Sequence, residues 1–496
     1  YLLTSTDSSY WYKLGDKVLQ DNLKLKQNNN VAKNVIFFLG DGMGVSTVTA
    51  ARIYDGQLKN QSGEENFLIF EKFPNAALVK TYNVDKQVPD SAGTATAFFG
   101  GVKGNYHTLG LNGRGVYNEC TAALDVNNQI TTIAKWAQEA GKSTGFVTTM
   151  RVTHATPGGL YAISANRDWE SDGVMPEDKR DCLDIAAQLV ILGGGRKHFV
   201  PSSANGTRLG DTNLINEWIE SKKEKNAEAQ YVTNLRELKD VDTDKTEYLL
   251  GLFNNDHLSY EMDKSDSNEP TIIDMTEKAI KILSKNKKGF YLMVEGGKID
   301  WAHHANNARR ALLETVYLNK AVERALQLTD TENTLIVVTA DHSHVFTING
   351  YPERGHNILG VQITEKEPFP NLGYTTLMYT NGPGYRYTND SDPLAAINVT
   401  GQKTEDPDYK QLAGFPMKYE THGGEDVAVY ATGPMSHLFR GVIEQNYIPI
   451  AIGYASCVRG GDSIKCSQAN TASSMLVKDS YFTVILMGSI LKMFMA

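Results

Sequence analysis

The apolar positions of this chain fall in short unbroken runs rather than in alternation. The runs are Val35-Ile36-Phe37-Phe38-Leu39, Gly145-Phe146-Val147, Phe290-Tyr291-Leu292-Met293-Val294 and Leu335-Ile336-Val337-Val338. A strand with no polar face is buried on both sides, as in a parallel sheet covered by helices. Helical spacing separates the runs: Leu312, Leu313, Val316, Ala321, Val322 and Ala325 share one stripe. The pattern predicts an α/β fold with a large central, mostly parallel sheet flanked by helices on both faces. Two stretches break it. Residues 351–416, rich in Gly, Pro, Asn and Tyr, read as an insertion, and the polar, charged segment 202–266 reads as surface helices and loops. Residues 1–350 and 417–480 then form one α/β domain, with a separate tail at 481–496. There is no internal repeat.

Three of the four runs end in metal-binding residue types. Val35–Leu39 runs into Gly40-Asp41-Gly42, Phe290–Val294 into Glu295 and then Asp300, His303 and His304, and Leu335–Val338 into Asp341-His342. In open α/β sheets ligands bind beyond the carboxyl ends of the strands, so residues distant in sequence can converge there. Carboxylate plus imidazole, without Cys, is the donor set of catalytic zinc. Asp300 and His304, four apart, share a face if a helix begins there. His422 lies in Thr421-His422-Gly423-Gly424, where glycines allow close backbone approach.

The segment Asp90-Ser91-Ala92-Gly93-Thr94-Ala95-Thr96-Ala97 reads as a helix with Ser91 in its first turn. The N–H groups of a helix start attract anions, and a Ser beside a metal can act as a nucleophile. The alternative is a plain capping residue, Ser91 or Asp90. Arg167 is a candidate phosphate clamp through its planar fork of donors, or else a surface ion-pair residue. His303 and His344 read as supports beside ligands, and His107, His198, His257, His356 and His437 as structural or exposed. Gly141-Lys142-Ser143 is no phosphate loop, because Trp136 stands where its first Gly belongs. Gly193-Gly194-Gly195 reads as a turn.

Composition changes this picture little. The chain has 496 residues, 41% apolar and 22% charged, and a formal net charge of -9. That charge argues against a nucleic-acid partner and leaves metal ions as the local source of positive charge. Cys120, Cys182, Cys457 and Cys466 contain no CxxC pair. They fit two disulfides in an oxidising compartment or four buried thiols. Sequons occur at Asn60, Asn205, Asn389 and Asn398. The start at Tyr1 reads as a mature secreted protein. The apolar tail 481–496, after a polar spacer with small residues, suits a GPI-attachment signal or a C-terminal core helix.

Taken in order, Phe37–Gly44, Asp90–Ala97, Thr153-His154-Ala155-Thr156-Pro157, Val294–Gly297, Thr339–His344 and His422-Gly423-Gly424-Glu425-Asp426 resemble the alkaline phosphatases, most closely the animal, membrane-attached kind. The resemblance implies hydrolysis of phosphate monoesters at alkaline pH through a phosphoserine on Ser91. It implies two zinc ions, one on Asp300, His304 and His422 and one on Asp41, Asp341 and His342. It also implies a magnesium on Asp41, Thr156 and Glu295, with Asp90, His154 and Trp301 near the substrate and Arg167 as clamp. It further implies the pairs Cys120–Cys182 and Cys457–Cys466, a homodimer with a crown-like insertion at 351–416, and a GPI anchor at the extracellular face of the membrane. Trp301 stands where mammalian members carry His, and Thr156 where they carry Ser. Glu217, Phe253 and Glu269 match a mammalian calcium site, but Asn254 stands where an acid is expected, which argues against calcium. A diesterase, sulfatase or phosphomutase of related architecture is the enzymatic alternative, and the Asp-Ser-Ala stretch argues against it. A lipid-anchored binding protein with a decayed site is the non-enzymatic one, and every ligand position is filled.

Overall fold

A computed structural model describes residues 7–188, 192–364, 371–386 and 397–459. Its strands, in chain order, are β1 (Asn34–Gly40), β2 (Asn75–Lys80), β3 (Ser143–Arg151), β4 (Leu192–Gly194), β5 (Ala229–Val232), β6 (Tyr248–Leu252), β7 (Phe290–Gly296) and β8 (Thr334–Ala340). They continue with β9 (Ser343–His344), β10 (Phe346–Ile348), β11 (Val361–Ile363), β12 (Gly373–Thr375), β13 (Leu377–Gly382) and β14 (Ala413–Pro416). The last three are β15 (His422–Gly423), β16 (Val427–Thr432) and β17 (Gly441–Glu444).

Ten of them form one sheet in the order β17-β2-β16-β8-β1-β7-β3-β4-β6-β5. From β8 to β5 every pairing is parallel, and β16 runs against both its neighbours. The four apolar runs became β1, β3, β7 and β8. β7 and β8 are buried at every position, the burial that parallel strands under two helical layers require. The helices 45–58, 272–283 and 308–328 pack on one another, and so do the helices 91–100, 133–139, 155–161 and 447–456. The predicted stripe lies on Ala308–Leu328, where Leu312, Val316, Ala321, Val322 and Ala325 are buried. The two helical groups flank the sheet, as the alternation of elements predicted.

Two expectations are corrected here. The polar segment 202–266 supplies β5 and β6, the far edge of the central sheet. β5 is the edge strand and needs few apolar residues, and β6 is a short apolar run inside a charged stretch that hid it. The triple glycine is a turn only at Gly195, at φ 88°, just past β4. Gly193 and Gly194 lie in β4, where a Cβ on Gly193 would meet Thr148 and Val152 and one on Gly194 the carbonyl of Asp256. Only bare backbone fits between β3 and the neighbouring loop.

β10, β13 and β14 make a separate three-stranded sheet, and β11 with β12 and β15 with β9 make two-stranded ribbons. Cys120 and Cys182 form a disulfide, and Cys457 is disulfide-bonded. Cys466, Asn389 and the tail 481–496 lie outside the described residues. Among the described residues no helix is long and apolar enough to cross a membrane.

Candidate metal centre

The register of three adjacent strands brings the acidic residues together. β1 lies between β8 and β7, with Leu39 beside both Thr339 and Glu295 and Gly40 beside Ala340. Asp41 and Asp341 therefore leave neighbouring strands at the same level, one residue past the ladder. Glu295 is still within β7, facing Thr148 of β3. Thr148 donates its hydroxyl hydrogen to Glu295 Oε2. Gly42, at φ 69°, sits where a side chain would run into His344. Its N–H donates to Asp341 Oδ1 at 2.9 Å, and so does the N–H of His342 at 2.9 Å.

Two groups of donors result. In one, Asp300 Oδ1 lies 3.2 Å from His304 Nε2 and 3.3 Å from His422 Nε2, and the two imidazole nitrogens are 3.2 Å apart. In the other, His342 Nε2 lies 3.1 Å from Asp341 Oδ2, 3.5 Å from Asp41 Oδ1 and 3.2 Å from Ser91 Oγ. Ligands at about 2.0–2.1 Å from a tetrahedral zinc stand about 3.3 Å from one another, so both spacings fit such an ion. Asp300 and His304 sit one turn apart on the helix Lys298–His304, and the ribbon β15–β9 pairs His422 with His344.

Each of the three imidazoles has its other nitrogen on a main-chain carbonyl. His304 Nδ1 is 2.5 Å from Glu420 O, His422 Nδ1 2.8 Å from Pro89 O, and His342 Nδ1 3.2 Å from Ser343 O. A carbonyl can only accept, so Nδ1 carries the hydrogen and Nε2 presents its lone pair to the centre.

A third group joins Asp41, His154 and Glu295. Thr156 lies in the helix Ala155–Tyr161, which follows His154. Both oxygens of Asp41, Asp341 Oδ2, Glu295 Oε1 and Thr156 Oγ1 are buried without a hydrogen-bond partner. Buried polar atoms left so are costly unless something else satisfies them. His154 Nε2 faces the Arg167 guanidinium at 3.2 Å and must accept from it. Its hydrogen is therefore on Nδ1.

The charges point the same way. Burial, then Asp341, Asp300 and Glu295, push the Asp41 carboxyl well above its ordinary range. Burial pushes Glu295 up to about 8. At Asp300 burial also opposes ionisation, but His304, His344 and His422 hold it well below the usual range. Burial keeps His342 neutral by lowering it far below 6.5. Four buried carboxylates facing one another call for cations, and carboxylate with imidazole suits divalent metals.

Ser91 opens the helix Ser91–Gly100, in which every residue is buried. The capping residue is Asp90, whose carboxylate accepts from Ala92 N–H and Gly93 N–H, each at 3.2 Å. Asp90 thus takes the cap and occupies the Ala92 and Gly93 N–H groups, and the Ser91 hydroxyl is left facing His342. Asp90 also receives Arg167 Nη1 at 3.0 Å and the N–H of His107 at 3.0 Å. Burial opposes its ionisation, yet Arg167 and His107 keep it below the usual range. Trp301 is partly exposed, its ring 4.3 Å from that of His257 and 5.1 Å from Lys298 Nζ.

Glu217 is exposed and Phe253 buried. Glu269 accepts from Asn254 Nδ2 at 2.6 Å and from Ser259 N–H at 2.7 Å. Sequence reasoning missed Glu420, a buried carboxylate two residues before His422. Its signal was its place just ahead of the candidate His422 and the glycines that follow it.

Residues 32–458 match the family profile described as alkaline phosphatase. The chain is 47% identical to the tissue-nonspecific alkaline phosphatase isozyme of Rattus norvegicus, over 94% of this chain and 92% of that protein. It is 45% identical to the human tissue-nonspecific isozyme, over 95% and 92%, and 45% identical to the alkaline phosphatase of Gadus morhua, over 91% and 98%. Its fold is similar to that of the alkaline phosphatase of Thermus thermophilus, with a TM-score of 0.62 and 21% identity over 87% of this chain and 93% of that one. It is similar also to the enzyme of the Antarctic bacterium TAB5, with a TM-score of 0.59 and 23% identity over 87% and 100%. The chain is an enzyme, a phosphoric monoester hydrolase, and it belongs to the alkaline phosphatase family.

Proposed function

We propose that the chain hydrolyses phosphate monoesters at alkaline pH through a phosphoserine on Ser91, with two zinc ions and one magnesium. The observation that carries this reading is the place of Ser91 Oγ, 3.2 Å from His342 Nε2 among buried, unpartnered carboxylate oxygens. Asp300, His304 and His422 would hold one zinc, Asp41, Asp341 and His342 the other, and Asp41, Thr156 and Glu295 the magnesium. When bound, the ions supply positive charge that acidifies a hydroxyl or water and neutralises phosphoryl oxygens.

Ser91 Oγ gives its proton to solvent hydroxide and attacks phosphorus, and the bond to the leaving oxygen breaks in line as that oxygen takes a proton from water and departs as the alcohol. Water, giving a proton to solvent, then attacks phosphorus from the vacated side; the bond to Ser91 Oγ breaks, inorganic phosphate leaves, and Ser91 Oγ regains a proton from water. Arg167 grips two phosphoryl oxygens, held ready by Asp90 and His154. Because these groups address only the phosphoryl group, the rest of the ester is loosely specified. Trp301 borders the mouth through which it projects. The amide of Asn254 on Glu269 supports a protein without calcium at that place.

Residues 351–416, whose described strands lie outside the central sheet, are read as the crown-like insertion of a homodimer. The helix Ser8–Leu23 buries no residue and exposes Trp11, Val18 and Leu19, which supports a partner subunit over it. The Cys120–Cys182 disulfide supports an oxidising, extracellular setting. A GPI anchor through the tail belongs to the same reading.

The test is hydrolysis of p-nitrophenyl phosphate at alkaline pH, before and after chelation. Activity lost to the chelator and restored by zinc with magnesium is expected. A folded, zinc-loaded protein without activity overturns the reading.

A further inference from the structure

We propose that Glu420 is a positioning residue that sets Asp300 and His304 as a pair, a role that rests on their assignment to one zinc ion. Its carboxylate is fully buried, and both oxygens are committed: Oε1 accepts the N–H of Val345 at 2.8 Å, and Oε2 meets His344 Nδ1 at 2.5 Å. Glu420 is therefore not a free ligand. The other nitrogen of His344 lies 2.9 Å from Asp300 Oδ1. A carboxylate–imidazole–carboxylate chain thus fixes where Asp300 Oδ1 points.

The main chain of the same residue fixes His304. The N–H of Glu420 donates to His304 O at 3.0 Å, and its carbonyl accepts from His304 Nδ1 at 2.5 Å. His304 is clamped by both its backbone and its ring. The segment itself is anchored one residue later, where Thr421 N–H donates to Asn381 Oδ1 at 2.9 Å and Asn381 Nδ2 donates to Thr421 Oγ1 at 3.0 Å. Asn381 lies on β13, so the small sheet 346–416 holds the residue that orients the centre. Outer hydrogen bonds of this kind set the ring and carboxylate directions of metal ligands, and their loss typically weakens metal binding about 10–100-fold.

Glu420→Gln separates the two routes. The amide keeps the shape, the main-chain bonds to His304 and an oxygen for Val345 N–H, but its NH₂ cannot accept from His344. Zinc retention is measured against a chromophoric chelator, alongside kcat and KM at increasing zinc and the melting temperature of the metal-free protein. One of two zinc equivalents is expected to bind about 10–100-fold more weakly, the other as in the unsubstituted protein. Excess zinc should restore kcat, KM should change less than about twofold, and the metal-free melting temperature should stay. Glu420→Asp, which keeps the charge on a shorter stem, should fall between. Retention of both ions at full affinity overturns the proposal. So does equal weakening of both together with a lower metal-free melting temperature, the mark of a purely structural residue. If the unsubstituted protein binds no zinc, the site reading itself falls, and the proposal with it.

Discussion

At the residue scale the most consequential contrast is between neighbours. Asp90 and Ser91 were both candidates for a cap, and the structure divides the roles: Asp90 closes the helix start and Ser91 is left with its hydroxyl toward His342. Ser91→Ala should therefore remove activity by about 10³-fold or more while shifting stability by no more than about 1 kcal/mol. Acid quenching during turnover of labelled ester should trap phosphoprotein in the unsubstituted chain and none in the variant. Arg167 is set between Asp90 and His154. Arg167→Lys keeps the charge but loses the fork, so kcat/KM should fall about 10²-fold or more. Product inhibition by inorganic phosphate should weaken in parallel. Equal inhibition of both proteins would remove Arg167 from the phosphate site.

At the scale of elements, legibility followed burial. β1, β7 and β8 were readable because a strand buried on both faces has almost no polar residue. β5 was not, because it is the edge strand and only Val232 is buried; β6 was not, because its short run Leu249-Leu250-Gly251-Leu252 lies in a charged segment. β4 was hidden by three glycines, which signal a turn in isolation and a close approach of two backbones in context. Gly194→Ala tests that approach: its methyl group meets the Asp256 carbonyl, and overpacking of this kind costs about 1–3 kcal/mol. The melting temperature should fall by several degrees; an unchanged value would mean that the loop yields freely.

At the scale of the whole molecule the site is an electrostatic problem distributed over several strand ends. In the metal-free protein Glu295 holds its proton up to about 8, against an ordinary 4.5, and Asp41 and Asp341 are raised as well. Burial keeps several histidines neutral, and they oppose this trend only below their ordinary 6.5; above it the folded chain holds protons that the unfolded chain has released, so its stability falls as pH rises from about 6.5 to 8. Each such group contributes up to about 1.4 kcal/mol per pH unit. Bound metal requires the carboxylates ionised, so the stabilisation by zinc and magnesium should grow over the same range. Melting curves with and without chelator at several pH values check this. A metal-free protein that gains stability toward pH 8 would contradict it.

The sequence by itself determined the four central strands, the helical layers, and the residue types at the strand ends, because burial and metal chemistry each leave a local mark. It placed Asp41, Ser91, Glu295, Asp300, Asp341, His342 and His422 among the candidates one segment at a time. Only the tertiary structure decided which of them share a centre. That depends on β1 lying between β7 and β8 in one register, and strand order is written in no single segment. It also brought out Glu420, since a buried carboxylate bonded to His344 differs from any other Glu only by what surrounds it.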